Sequence, residues 1–493
     1  MSWIDIAIIA VYLAGTTLFG CSFVFRKDIG DAKGFMTGGG RLPTWAVALS
    51  IFATHVSSIA FLGLPAKAFL SNWNPYVLSI TVPVAAAIAA VWFIPFYRNS
   101  GCVSAYSLLE SRYGLWARLY ASACFLVMQS TRSGFILFLL AILMNTLFGW
   151  PVVGIILVTG LATTVYSMLG GISAVVWTDA VQSIILLLGT LVCVAILGFS
   201  IPDFSTSFSA AFEAGKFSLG SFSFSDWSDE TFWVIFIYAM FINLQNFGID
   251  QSFTQRYIAA KSSSAAKRSL LSSAFLYLVN TVFFVLIGTL LWMYVQANPG
   301  VVPESVLAKS DAVFPWFIVH KLPVGVSGLL VAAIVAAAMS TVSSTLNSGA
   351  TVLLEDYRKR FSRRKDDGRA DIVFLRAATV GLGVLSVAIG IGVINVKSAL
   401  TAFWAFQSVL SGGMLGLFLL AMLSKRSNGV HAAAATLTGL FFVAWVSFGQ
   451  EWTGFSFRLH VNMAIVFGTL AIVAAGASLS HLGRRDGKIG VRG

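Results

Sequence analysis

The stretch that decides the fold is Ala337-Ala338-Met339-Ser340-Thr341-Val342-Ser343-Ser344-Thr345-Leu346-Asn347-Ser348. It places a dense group of hydroxyls in the middle of an otherwise apolar segment. Lipid offers such groups no hydrogen-bond partner, so they must bind backbone, water, another helix or an ion. Side chains three and four residues apart lie on one face of a helix, where their oxygens can replace the hydration shell of a hard cation. The stretch therefore indicates a sodium site and a cation-coupled transporter.

The composition of the whole chain agrees with this interpretation. Its 493 residues are 57% hydrophobic and 11% charged, with a mean hydropathy of +0.85. These values indicate an all-α polytopic membrane protein. The apolar runs predict about thirteen spans, near residues 3–23, 44–70, 75–97, 117–148, 152–169, 172–200, 231–257, 271–296, 314–350, 372–394, 399–423, 430–448 and 459–481.

The distribution of Lys and Arg predicts the orientation of these spans. With the N-terminus outside and the C-terminus inside, most basic residues fall in inner loops, among them the runs 26–41, 256–268 and 358–376. The net charge of +12 then reflects topology, and no nucleic-acid partner is expected. Basic residues follow the first apolar stretch rather than precede it, which is not the pattern of a signal peptide. The chain is expected to be one membrane domain without an obligate protein partner.

Two further stretches indicate interrupted helices. Residues 50–60 place Ser, Thr and His side chains within an apolar run, and residues 243–251 do the same with amides and Gly248. Inverted-repeat transporters bind their substrates where the first helix of each repeat unwinds near the bilayer midplane. The alternative is that both stretches are polar contacts between helices that stabilise the bundle.

Three motifs together resemble the sodium:solute symporter family. They are the run Ser340-Thr341-Val342-Ser343-Ser344, the run Tyr166–Asp179 that contains Gly170-Gly171, and Gln255-Arg256-Tyr257 after the second interruption. Residues 62–73 are similar to the sialic-acid branch of that family. The resemblance implies a leucine-transporter fold of two inverted five-helix repeats with broken first helices. It places the repeats at 44–200 and 231–423, with an extra N-terminal helix at 3–23 and two extra C-terminal helices at 430–481.

The resemblance also implies where sodium binds. The site shared by the family would combine main-chain and hydroxyl oxygens of Ala53, Val56, Ala337, Ser340 and Thr341. The alternative for the hydroxyls is back-bonding to the preceding turn of their own helix. A second sodium would be held by Asp179, Ser340, Ser343 and Ser344, because a carboxylate in the hydrocarbon region requires a partner. A proton carrier or a structural hydrogen bond are the alternatives for Asp179.

Arg132 is the candidate for binding an anionic substrate. It lies in Gln129-Ser130-Thr131-Arg132-Ser133, within an apolar segment in which no other Arg or Lys is expected at that depth. A guanidinium stays charged and matches a carboxylate with two hydrogen bonds. The alternative is a structural ion pair with Asp179 or Asp250. By analogy with the fold, the other residues expected at the substrate are His55, Ser57, Ala60, Ser79, Asn246, Phe247 and Gln407.

The sequence and the resemblance together predict a sodium-coupled symporter that imports a sugar acid such as sialic acid by alternating access, in a bacterial inner membrane. The alternatives are a sodium symporter for a neutral sugar, a polyol or a small carboxylate, and a ligand-binding membrane sensor. An enzyme is not expected, because no Walker A, HExxH or GxSxG motif is present. The four cysteines show no CxxC spacing and predict no disulfide or metal site.

Overall fold

The computed structural model describes residues 2–25, 30–56, 58–362, 368–396, 399–453 and 459–482. These residues form helices, loops and one isolated backbone bridge between Leu42 and Ala260. The helices of the first half of the chain are α1 Trp3–Ser22, α2 Ala32–Thr37, α3 Thr44–His55, α4 Ser58–Leu70, α5 Val77–Ile80, α6 Val82–Ile88, α7 Ile94–Ser100, α8 Ser107–Tyr113, α9 Leu115–Phe148, α10 Val152–Phe199 and α11 Phe204–Glu213.

The second half continues the same architecture. Its helices are α12 Phe232–Ile249, α13 Gln251–Ala259, α14 Ser263–Ala297, α15 Glu304–Leu307, α16 Ser310–His320, α17 Val326–Val352, α18 Lys359–Phe361, α19 Gly368–Gly392, α20 Ala399–Leu423, α21 Gly429–Thr453 and α22 Met463–Leu482. Short π-helical turns extend α6 over Ala89–Phe93 and α17 over Leu353–Arg358.

Ten helices within the described ranges are long and apolar enough to cross a membrane, and the bent pair α3 and α4 makes eleven. The chain is therefore a multi-pass membrane protein. The count of thirteen spans and the orientation of the termini remain predictions. The spans predicted at 152–169 and 172–200 are the two parts of α10, which turns sharply at Gly171 (φ 54°, ψ −153°). Only glycine fits there, because a Cβ would lie 2.6 Å from the carbonyl oxygen of Phe35.

The span predicted at 314–350 is wrong at its start. Residues 310–320 form the separate helix α16, and α17 begins only after Gly325, whose φ is +89°. The physical reason is the sequence Lys321-Leu322-Pro323 between them, where the proline cannot continue a helix and its neighbour avoids helical angles.

Helix α17 forms the centre of the bundle. In its most apolar window 89% of the residues are buried, against 28–56% for the other spans. It packs against α10, α9, α1 and α19. Every residue from Leu330 to Val352 is buried, so the hydroxyl-rich stretch faces protein on all sides and not lipid.

The N-terminal helix is fixed to the start of this central helix. Asp5 Oδ1 accepts hydrogen bonds from the amides of Gly325 at 2.7 Å and Gly328 at 3.0 Å, while Oδ2 accepts one from the amide of Ser2. These amides at the beginning of α17 have no partner within their own helix, so the buried carboxylate satisfies them. A side chain at Gly328 would collide with the backbone of Asp5.

Candidate functional site

The first interruption lies between α3 and α4. Val56 leaves the helix with extended angles (φ −76°, ψ 121°), although its amide still donates to Phe52 O at 2.9 Å. The helix Thr44–His55 and the segment Ala60–Leu70 are inclined by 55°. The carbonyls of the last turn of α3 therefore lose the partners that a continuous helix would supply. Ser57, predicted at the substrate, lies outside the described residues.

The second interruption lies at Asp250, between α12 and α13, where the backbone is again extended (φ −73°, ψ 125°). Asp250 begins α13 by accepting the amide of Ser252 at 2.7 Å, and its second oxygen accepts Gln129 Nε2 at 2.6 Å. Two buried tyrosines satisfy carbonyls at the end of α12: Tyr97 donates to Gly248 O at 2.6 Å, and Tyr257 to Phe247 O at 2.9 Å. Both predicted interruptions are thus present as breaks between helices.

A buried ion pair and its hydrogen bonds join four helices at this level, namely α3, α10, α13 and α17. Arg256 Nη2 lies 2.8 Å from Asp179 Oδ2, and both side chains are at most 1% exposed. Asp179 also accepts Ser50 Oγ at 2.6 Å and Ser340 Oγ at 2.7 Å. Arg256 further donates to Ser50 Oγ, Ser344 Oγ and Ser252 O at 2.6–2.7 Å.

This network corrects the interpretation of Arg256. The sequence placed it in an inner loop and left Arg132 as the one basic residue at depth, but α13 carries Arg256 into the bundle. A residue that follows an apolar run can lie either in a loop or in the inner half of a broken span. For this reason the assignment of Arg256 to a loop was wrong. The signal was present, because a buried carboxylate at Asp179 requires a cation. Two of the residues predicted for a second sodium, Asp179 and Ser344, therefore already contact a guanidinium.

The hydroxyls of α17 divide between their own helix and their neighbours. Thr341 donates to Ala337 O at 3.1 Å, and Ser343 and Ser344 donate to Ser340 O at 3.0 and 2.7 Å, which is the back-bonding weighed as the alternative. Ser344 Oγ also lies 3.2 Å from Thr54 Oγ1 of α3. The structure thus places α17 against α3 just before the interruption that contains Ala53 and Val56. Whether these residues bind sodium remains a prediction.

Arg132 lies on α9 beside both interruptions. Within the described residues its guanidinium makes no hydrogen bond and no ion pair, and it is half-buried. It interacts electrostatically with Asp250, Tyr277 and His55. The carboxylate of Asp250 is already engaged by Gln129 and Ser252, so it does not bind the guanidinium directly. Arg132 is therefore a cation that none of the described residues binds, close to Asp250 and His55 at the two helix breaks.

An aromatic cluster lies next to Arg132. His55 stacks on Phe247 with ring centroids 5.1 Å apart, and contacts Tyr277 edge to face at 4.3 Å. Ser79 is buried and its Oγ has no hydrogen-bond partner in the described part of the chain. The structure thus brings His55 and Phe247 together as predicted. Tyr277 was missed, because no motif marks it in the sequence and only the packing of α14 brings it to His55.

The remaining residues predicted at the substrate are Gln407, Asn246 and Ala60. Gln407 donates to Met128 O at 2.9 Å, one turn before Arg132 on α9. Asn246 is half-buried near the end of α12. Ala60 lies near the beginning of α4. No cluster of three His, Cys, Asp or Glu side chains that could hold a metal ion occurs in the described ranges.

Two helices that are interrupted within the bundle, beside a hydroxyl-rich central helix, are the arrangement typical of secondary membrane transporters. The model of the sodium:solute symporter family matches residues 35–439. The chain belongs to this family, as its motifs predicted.

Similar proteins and a similar solved structure support this assignment to the family. The chain is 31% identical to the sodium/sialic acid symporter SiaT of Proteus mirabilis over 467 residues, covering 94% of this chain and 93% of the relative. It is 28% identical to the human sodium-coupled monocarboxylate transporter 1 over 431 residues, covering 85% of this chain and 69% of the relative. A substrate-bound, outward-open structure of a Na⁺-coupled sialic acid symporter with a novel Na⁺ site has a TM-score of 0.90 at 31% identity, covering 98% of both chains.

A more distant structure supports the fold alone. Mhp1, a nucleobase-cation-symport-1 family transporter, has a TM-score of 0.56 at 13% identity and covers 94% of this chain and 96% of its own. The predicted all-helical, leucine-transporter-like fold is confirmed.

Proposed function

We propose that this chain imports a sialic acid or a related sugar acid, driven by the inward movement of sodium through alternating access. The observation that carries the proposal is the guanidinium of Arg132, which no described residue binds and which lies close to Asp250 and His55 at the two helix breaks. An arginine without a protein partner in a low-dielectric site is costly unless a ligand supplies the opposite charge. A substrate carboxylate would bind it with two hydrogen bonds. The names of the bacterial relatives support the choice of sugar acid.

The rest of the substrate would lie over the aromatic cluster. Phe247, His55 and Tyr277 offer an apolar wall with polar edges, and Ser79 adds a buried hydroxyl close to Tyr277. Sugars are bound by such a combination of aromatic faces and a few polar groups. Gln407, Asn246, Ser57 and Ala60 complete the proposed site. The methyl group of Ala60 offers no hydrogen bond, so a substrate hydroxyl near it would need another partner.

Sodium would bind at the oxygens of Ala53, Val56, Ala337, Ser340 and Thr341. Main-chain oxygens released by unwinding suit this ion, because they supply partial negative charge without burying a full one. A second sodium at Asp179, Ser340, Ser343 and Ser344 is also proposed. Since Arg256 already neutralises Asp179, this ion would share the carboxylate with the guanidinium or displace it.

The number of sodium ions decides how far the substrate is concentrated. Each sodium entering down a potential of about 100 mV gains about 2.3 kcal/mol, and a tenfold gradient adds about 1.4 kcal/mol. A monoanion moved against that potential costs about 2.3 kcal/mol. One sodium therefore supports roughly tenfold accumulation, and two support several thousandfold. A second ion would suit a scavenger of dilute anions.

The breaks α3–α4 and α12–α13 would begin the two inverted repeats, at 44–200 and 231–423, with the helices at 3–23 and 430–481 outside them. The N-terminus would lie outside and the C-terminus inside, in a bacterial cytoplasmic membrane. A second candidate function is the symport of a small carboxylate, which the similarity to monocarboxylate transporters favours. Both proposed functions would use Arg132 to bind a carboxylate. Only a comparison of substrates can therefore distinguish a sugar acid from a small carboxylate.

The deciding experiment is uptake into proteoliposomes with an imposed sodium gradient. Labelled N-acetylneuraminate is the substrate, with unlabelled sugar acids, neutral sugars and short carboxylates as competitors. Competition by sugar acids alone supports the proposal, and competition by acetate or pyruvate favours the second candidate. Equal uptake with choline in place of sodium contradicts both. Liposomes without protein control for leakage.

A further inference from the structure

A groove of about 980 Å³ lies on the lipid-facing side of the bundle, between α3 and α14. Its walls are mostly apolar. Trp45 is 53% exposed, Leu271 44% and Phe275 67%, and Leu49 and Leu276 also line it. Side chains of this size are exposed on a span when they face acyl chains rather than protein. The groove is not part of the site described above, which lies at the helix breaks.

One end of the groove carries positive charge. Lys261 lines it, and Arg41 lies nearby, because Arg41 precedes and Lys261 follows the two residues of the bridge between Leu42 and Ala260. The amide of Leu42 donates to Ala259 O at 3.1 Å, which fixes the two segments together. Neither cation has an acidic partner within the described ranges. Arg41 and Lys261 are therefore two exposed cations that flank the same backbone bridge.

The groove is held in shape by its own contacts. Ser269 Oγ donates to Thr44 O at 2.8 Å, which joins α14 to the beginning of α3. Trp45 packs edge to face on Trp177 at 5.3 Å, which fixes the orientation of the outermost ring. From the beginning of α14 at Ser263 to Phe275 the groove extends about 18 Å along the helix. Binding to a preformed site is more favourable, because less free energy is needed to order its side chains.

We infer that this groove binds an anionic phospholipid. The phosphate would lie between Arg41 and Lys261, and an acyl chain would follow Trp45, Leu271 and Phe275 into the hydrocarbon. A cationic end joined to a long apolar channel matches an amphiphile of opposite charge, and basic pockets between spans bind lipid head groups in this way. With the predicted orientation, the charged end lies at the inner leaflet, where anionic lipids attract basic residues.

Native mass spectrometry of the full chain can test this inference. Phosphatidylglycerol and phosphatidylcholine with the same acyl chains are titrated into detergent-solubilised protein. The Arg41→Ala/Lys261→Ala variant is expected to bind phosphatidylglycerol roughly thirtyfold more weakly than the wild type, with phosphatidylcholine unaffected. The matched control is Lys425→Ala/Arg426→Ala, which removes two exposed cations from another loop and should retain the affinity.

A second variant tests the apolar part of the groove rather than its charged end. Ser272 lines the groove and is exposed, so Ser272→Trp fills it without changing the charge. This variant should lose the tightly bound phosphatidylglycerol while both basic residues remain. Thermal unfolding of each variant shows whether it is folded. Unchanged affinity in both groove variants, or an equal loss in the control, would overturn the inference, as would equal binding of both lipids by the wild type.

Discussion

Arg132 and Arg256 are the same residue type within one helical bundle, and their surroundings are opposite. Arg256 is fully buried and binds Asp179, Ser50, Ser344 and the backbone of Ser252. Arg132 is half-buried and binds none of the described residues. A guanidinium whose donors are satisfied by protein holds helices together, whereas one that no described residue accepts can bind a ligand. The contacts therefore mark Arg256 as a structural arginine and support the proposal that Arg132 binds the substrate.

The largest effect is expected from breaking the buried pair. Arg256→Leu leaves Asp179 as an uncompensated buried charge, which should destabilise the protein by about 3–5 kcal/mol. The measurement is the free energy of unfolding in mixed micelles. The double variant Arg256→Leu/Asp179→Leu removes both charges and should recover most of that loss. A double variant as unstable as the single one would show that the pair is not what connects these helices.

Reversing the charge of the other arginine should affect transport instead. Arg132→Glu is expected to reduce uptake of N-acetylneuraminate at least about hundredfold, because the carboxylate of the substrate would meet a like charge. Its stability and its sodium binding should remain close to those of the wild type. Arg132→Lys should retain part of the activity, since it keeps the charge but not the paired donors. Acid uptake retained by the Glu variant would contradict the role proposed for Arg132.

A smaller effect is expected at the sodium site shared by the family. Thr341→Val keeps the shape of the side chain and removes its hydroxyl, so the sodium concentration for half-maximal uptake should rise about tenfold. Thr379→Val is the matched control, because Thr379 is also buried and back-bonded, to Leu375 O at 2.8 Å. If both variants behave like the wild type, the Thr341 hydroxyl only back-bonds to Ala337.

The smallest effect concerns His55. His55→Phe retains the ring contacts with Phe247 and Tyr277 but loses both ring nitrogens. If a nitrogen donates to a substrate hydroxyl, KM should rise about fivefold to tenfold while the melting temperature is unchanged. If His55 instead stabilises the end of α3, the melting temperature should fall with KM constant. Uptake kinetics and thermal unfolding of the same preparation distinguish the two.

The sequence was sufficient for the fold because its decisive signals are local. Hydroxyls at helical spacing in Ser340–Ser348, and polar interruptions at 50–60 and 243–251, are costly in lipid and so mark the interior of a transporter. The breaks at Val56 and Asp250 fall within the predicted stretches. The resemblance of the motifs then supplied the family.

The pairing of side chains could not be predicted in the same way. Asp179 and Arg256 are on separate helices, and only the packing of α10 against α13 brings them within 2.8 Å. Tyr277 contacts His55 for the same reason. The predicted span began too early because the residues on both sides of Pro323 are largely apolar. The proline nevertheless separates two helices, α16 and α17.

The carboxylate of Asp5 has a consequence for how the transporter can move. It binds two amides at the first turn of α17, and Gly328 allows close approach of the backbones. If α17 tilts during a transport cycle, α1 must therefore move with it as one rigid body, or the hydrogen bonds of Asp5 to Gly325 and Gly328 must break. Spin labels on the two helices would give a constant separation in the first case and two separations in the second.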